Sequence, residues 1–111
     1  MNRTDKLLVR LGILPNLIGY KYLRYGFALL KDDPERIQYV TKDLYPAIAH
    51  YYGTSWVSVE HAIRTAVTVC WERGNKELLV EMAGYSLKSK PTVSEFMAII
   101  IGYAFWDNER I

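Results

Sequence analysis

Residues 50–74 read HYYGTSWVSVEHAIRTAVTVCWERG. The segment reads as the end of one helix, a tight turn at Gly53, and a long amphipathic helix opened by Thr54 or Ser55 and running to about Arg73. Upstream, Leu44, Ile48 and Ala49 form the apolar stripe of the first helix. Ala49 lies four residues before Gly53 and Val59 six after it. A small residue lets two helices approach, a glycine takes a left-handed turn, and a β-branched residue packs the second helix back on the first. The spacing predicts a helix-turn-helix over about residues 43–73.

Working outward, Gly and Pro divide the rest of the chain into helix-sized intervals with a 3.6-residue apolar period. Thr4 or Asp5 is expected to cap a first helix carrying Leu7, Leu8 and Leu11 and ended by Gly12. From Leu17 to Lys31, Ile18, Tyr22, Tyr25, Leu29 and Leu30 recur at helical spacing. Asp32-Asp33-Pro34-Glu35 is a helix-start signature and opens a short helix from Pro34 to about Val40. Thr41 or Asp43 is expected to cap the helix that reaches Tyr52, with Pro46 in its first turn. Gly74-Asn75 closes the central helix as a C-cap pair, Lys76 to Ala83 is a short helix closed by Gly84, and Tyr85 to Lys90 is a polar excursion. Thr92 or Ser94 caps a last helix through Phe96, Met97, Ile99, Ile100, Ile101 and Tyr103. Asp107 to Ile111 is expected to fray. No stretch alternates with period two, so the expected fold is all-α, a compact bundle of about six helices containing the helix-turn-helix.

The 111 residues suffice for one domain, and with 50% apolar residues they can build a core. The net charge is only +2, so a polyanion partner has to be argued from where charges sit. The single cysteine, Cys70, excludes an internal disulfide and a multi-cysteine zinc site. It falls on an apolar helix face and reads as a packing residue. His50 and His61, on different helices, make no metal site. Tyr20, Tyr22, Tyr25, Tyr39, Tyr45, Tyr51, Tyr52, Trp56 and Trp71 are spread over several helices and read mostly as core. There is no phosphate-binding glycine loop and no catalytic constellation, so neither an enzyme nor a cofactor is expected. No apolar run nears a membrane span and no signal peptide is evident, which points to a cytoplasmic protein.

In the central helix, Val59, Ile63, Ala66 and Cys70 line one face, widened by Ala62, Val67 and Val69. The opposite face carries Ser58, His61, Thr65 and Thr68, flanked by Glu60 and Arg64. Arg can bond guanine bidentately, Glu can accept from a cytosine amino group, and Ser, Thr and His can bond bases or phosphates. The same residues are also what any surface helix presents, with Glu60 and Arg64 as an i,i+4 pair.

The chain resembles the C-terminal effector domain of the sporulation stage-zero master response regulator of endospore-forming bacteria. The markers are Gly19-Tyr20 with Tyr22-Leu23-Arg24, Thr41-Lys42 with Leu44-Tyr45-Pro46, Val59-Glu60 with Ala62-Ile63-Arg64, Trp71 with Arg73-Gly74-Asn75, Gly84-Tyr85, and Lys90-Pro91-Thr92 with Ser94-Glu95-Phe96. They run in order from about Leu7 to Tyr103, with a few residues missing between Tyr85 and Lys90. The resemblance implies a six-helix-type domain that binds promoter DNA through the helix matching Ser55–Arg73, as tandem or paired copies. Glu60 and Arg64 match family residues that face bases. Ser58, His61 and Thr65 stand where arginine, arginine and histidine are expected, so the preferred DNA sequence need not be shared. The family segment after Gly74 contacts the RNA polymerase sigma factor. Here it reads NKELLVEMAGY, with Leu79, Val80 and Met82 replacing a polar, serine-rich version. The family's phosphoryl-accepting receiver domain has no counterpart in these residues; the single effector domain over 1–111 is either excised from a longer protein or a stand-alone version, and the initiator-like Met1 slightly favours the second.

The reading that follows is a DNA-binding transcription regulator with double-stranded DNA as partner, a homodimer on DNA, and the sigma factor as a further candidate. Glu60, His61 and Arg64 would read bases, assisted by Ser58 and Thr65. Thr54, Ser55, Lys42, Lys88 and Lys90 would hold phosphates. The alternative is a protein-interaction module on the same fold that pairs with itself or with a full-length regulator.

Overall fold

A computed structural model describes residues 1–106 and, among them, holds six α-helices and no strand. The helices are α1 (Arg3–Arg10), α2 (Ile18–Asp32), α3 (Tyr45–Tyr52), α4 (Trp56–Arg73), α5 (Lys76–Ala83) and α6 (Val93–Ile101). The expectation of fraying at Asp107 to Ile111 lies outside the described residues. Among the described residues, no helix is long and apolar enough to cross a membrane.

The apolar stripes converge on one core. Leu8, Leu11, Leu23, Phe27, Leu44, Ile48, Val59, Ile63, Cys70, Leu79, Phe96 and Ile100 are all buried, so every helix contributes to it. Burying an aliphatic or aromatic side chain is worth about 1.5–3 kcal/mol. α4 is the pivot of this packing, since α2, α3, α5 and α6 all contact it. Its Val59, Ile63, Ala66, Val67 and Cys70 are buried, as the sequence stripe requires.

Several local expectations change. Asn2, not Thr4 or Asp5, caps α1: its side chain accepts from the Asp5 N–H while the Asp5 carboxylate accepts from the Asn2 N–H, a capping box. Thr4 and Asp5 are instead buried, and the Asp5 carboxylate is held by Arg24 Nε at 2.9 Å. That charged contact ties α1 to α2. Pro34–Tyr39 is a 3-10 helix capped by Asp33, not an α-helix. Neither Thr41 nor Asp43 caps α3, because a π-type turn over Val40–Leu44 feeds into it without a break in helical backbone. Ile18 is no part of the core stripe; it opens α2 and is 64% exposed. Thr92, rather than Ser94, caps α6.

Gly74 is the C-cap of α4, as expected, in an extended conformation, φ −96° and ψ −152°. Its requirement is space. A Cβ there would fall 2.9 Å from the Cys70 carbonyl oxygen and closer still to that of Leu11. The Asn75 N–H donates to that Leu11 carbonyl at 3.1 Å, and the Asn75 side chain then caps α5. The far end of α4 is thus locked to the end of α1.

Candidate nucleic-acid interface

The near end of α4 is built differently. At Gly53 the backbone turns left-handed, φ 66°, with nothing within 4 Å of where a Cβ would stand. The Gly53 N–H donates to the His50 carbonyl and the Thr54 N–H to that of Ala49. This pair of bonds is a Schellman closure, which satisfies the last carbonyls of α3. Ser55 then caps α4: its Oγ accepts from the Ser58 N–H at 3.1 Å and lies 2.9 Å from the Ser58 hydroxyl. Ala49 and Val59 are buried on either side of the turn. α3 and α4 therefore pack against each other as a helix-turn-helix requires.

The expected reading residues separate into groups. Ser58, His61, Arg64 and Thr65 are exposed, on the side of α4 away from the core. Glu60 is half-buried at the α3 side. No ion pair joins it to Arg64, so the i,i+4 pairing does not form. Both charges act instead on the buried Tyr45 from α3. Burial pushes the Tyr45 hydroxyl up to about 12, with Glu60 adding to the rise and Arg64 opposing it. His61 and Thr65 border a groove of about 340 Å³ whose other wall is the start of α2, Asn16 to Gly19. The Ser58 hydroxyl is engaged with Ser55, which reduces what it can offer a base.

The expected phosphate-holding residues are less gathered. Thr54 and Ser55 sit at the turn, both exposed. The Thr54 amide is already used by Ala49, so Thr54 offers its hydroxyl. Lys90 reaches α4 from the loop between α5 and α6 and donates to Thr68 Oγ1 at 2.9 Å. This contact across 22 residues of sequence places an ammonium at the C-terminal part of the exposed face. Lys88 is exposed in the same loop, and Lys42 is exposed in the π-type turn before α3.

Two residues of the first turn were not foreseen as part of this face. Trp56 is 45% and Val57 55% exposed. The signal was available: Val57 precedes His61 by four residues and Arg64 by seven, so the three share one side of the helix. The core stripe of α4 starts only at Val59. Of the tyrosines, Tyr20, Tyr22 and Tyr45 are buried, whereas Tyr39 and Tyr51 are exposed, the latter stacked on Tyr25 at 4.0 Å. Cys70 is buried and its thiol is pushed up to about 11 by desolvation, which leaves it a packing group without thiolate character at neutral pH.

A protein-family model described as "Sporulation initiation factor Spo0A C terminal" matches residues 4–103. The match covers nearly the whole chain, and the chain belongs to this family. The family is a DNA-binding effector domain of sporulation regulators and is not an enzyme family.

Proposed function

From membership of that family, we propose that this chain is a sequence-specific, DNA-binding transcription regulator. α4 enters the major groove, where base pairs display a distinguishable pattern of donors and acceptors. His61 and Arg64 read base edges from the exposed face, and Glu60 does so from its α3 side. Ser58 and Thr65 assist. Thr54, Ser55, Lys42, Lys88 and Lys90 contact phosphates, with Lys90 nearest the helix through Thr68.

The observation that carries this reading is the division of α4. One side is core, and the opposite side presents Ser58, His61, Arg64 and Thr65 to solvent at the open end of a capped turn. Two copies on adjacent DNA sites and a sigma-factor contact through the segment after Gly74 extend the same reading. In that segment Leu78, Leu79 and Met82 are buried, while Tyr85 is exposed. The reading is tested by selecting duplexes from a random pool with the purified chain. An enriched sequence is the expected result.

The alternative is a protein-interaction module, and the exposed Tyr39, Tyr51 and Tyr85 rings favour it. It predicts no enriched sequence even at low salt, where phosphate contacts are strongest.

A further inference from the structure

The exposed valine in the first turn of α4 calls for a physical reason. Val57 makes no part of the core, whose stripe on this helix begins at Val59. A β-branched residue on an exposed helix surface has a lower helix propensity than Ala and gains nothing from burial there. Trp56 beside it leaves 45% of its surface exposed. Ser58, the only hydroxyl in the turn besides its cap, is engaged with Ser55. The leading turn therefore presents mainly apolar surface, in line with His61 one turn on and Arg64 two turns on.

We infer that Val57 is a specificity-determining residue that packs on the 5-methyl group of a thymine in the major groove. The inference rests on the DNA-reading role proposed above. The N-terminal residues of a recognition helix contact base edges, so Val57 meets them ahead of His61 and Arg64. An isopropyl group cannot exchange hydrogen bonds with a base. The apolar group that base edges display in the major groove is the thymine methyl. Trp56 flanks the contact and keeps water from it. The helix thus has two chemistries in sequence: an apolar contact at its start, and beyond it the hydrogen-bonding side chains Glu60, His61 and Arg64. The preferred DNA site accordingly holds a thymine at a fixed offset from the base pair read by Arg64.

The test uses the full chain and the duplex enriched from a random pool. Each thymine in that duplex is replaced in turn by deoxyuridine, which removes only the 5-methyl group. Wild type and Val57→Ala are titrated against every version. The expected result is one position where loss of the methyl weakens wild type roughly fourfold, the factor for one buried methyl-sized group. Val57→Ala should bind the parent duplex weaker by a similar factor and show no preference at that position. Alanine is the better helix former at an exposed site, so an unchanged far-UV spectrum and melting temperature are expected of the variant. If the variant retains the thymine preference, or if wild type shows none, the inference is overturned while DNA reading stands. If no duplex is enriched, DNA reading fails and the inference fails with it.

Discussion

α4 is bounded by Gly53 before it and Gly74 after it, and the two glycines answer opposite demands. Gly53 is required by its backbone angle alone, since the space around it is empty. Gly74 has an ordinary extended backbone and no space, because the Leu11 carbonyl and the last turn of α4 close on it. The first end of the helix is therefore held by local bonds, the Schellman closure and the Ser55 cap, with its surface free. The second end is held by a tertiary contact with α1. A helix anchored at its far end and along its core face, with the outer side of its first turns exposed, is suited to presenting side chains to a partner.

This contrast orders the effects of substitution. Gly74→Ala should be the most damaging. Its Cβ meets backbone on two sides, and overpacking of that kind costs about 1–3 kcal/mol or more. Urea unfolding should show a clear fall in midpoint. A neutral result would mean that α1 and α4 can separate freely, contrary to the locked end. Alkali should act next, on the middle of the contrast. Tyr45 has a raised pKa in the fold, so its contribution is intact below pH about 10 and is lost as pH rises through about 12. Tyr45→Phe should move the alkaline unfolding transition to higher pH. Gly53→Ala meets no atoms and should cost only the left-handed strain, about 1–2 kcal/mol. A loss as large as that at Gly74 would erase the distinction between the two ends. Ser55→Ala removes the cap and should cost about 1 kcal/mol in thermal melting. It also frees the Ser58 hydroxyl. Val57→Ala should leave stability within about 0.5 kcal/mol of wild type, as expected for a surface position.

Much of this was legible in the chain itself. The turn at Gly53, the buried stripe Val59, Ile63, Ala66 and Cys70, and the exposure of Ser58, His61, Arg64 and Thr65 follow from helical periodicity and glycine chemistry. These are local properties. What escaped depends on contacts between distant residues. The crowding at Gly74 comes from Leu11, and the placement of Lys90 comes from Thr68. Thr41 and Asp43 are good caps, and on sequence they mark a helix boundary within Val40–Leu44. The backbone instead runs on into α3, and neither residue caps it. Ile18 fits the periodicity of α2 but lies at its first residue, beyond the part that the core covers. Val57 belongs neither to the apolar stripe nor to the polar face read from the sequence, and the structure leaves it exposed ahead of the buried stripe that begins at Val59.

The claim that α4 reads DNA through its exposed face is tested most directly at Arg64. The side chain is exposed and, among the described residues, outside any ion pair, so Arg64→Ala should fold like wild type. The measurement is the ratio of affinities for the enriched duplex and for a scrambled duplex of the same composition, taken for both proteins at one salt concentration. A bidentate arginine contact is worth about 1–3 kcal/mol of discrimination. The ratio should therefore collapse in the variant, leaving salt-sensitive binding alike on both duplexes. An unchanged ratio would contradict the assignment of this face as the reading surface.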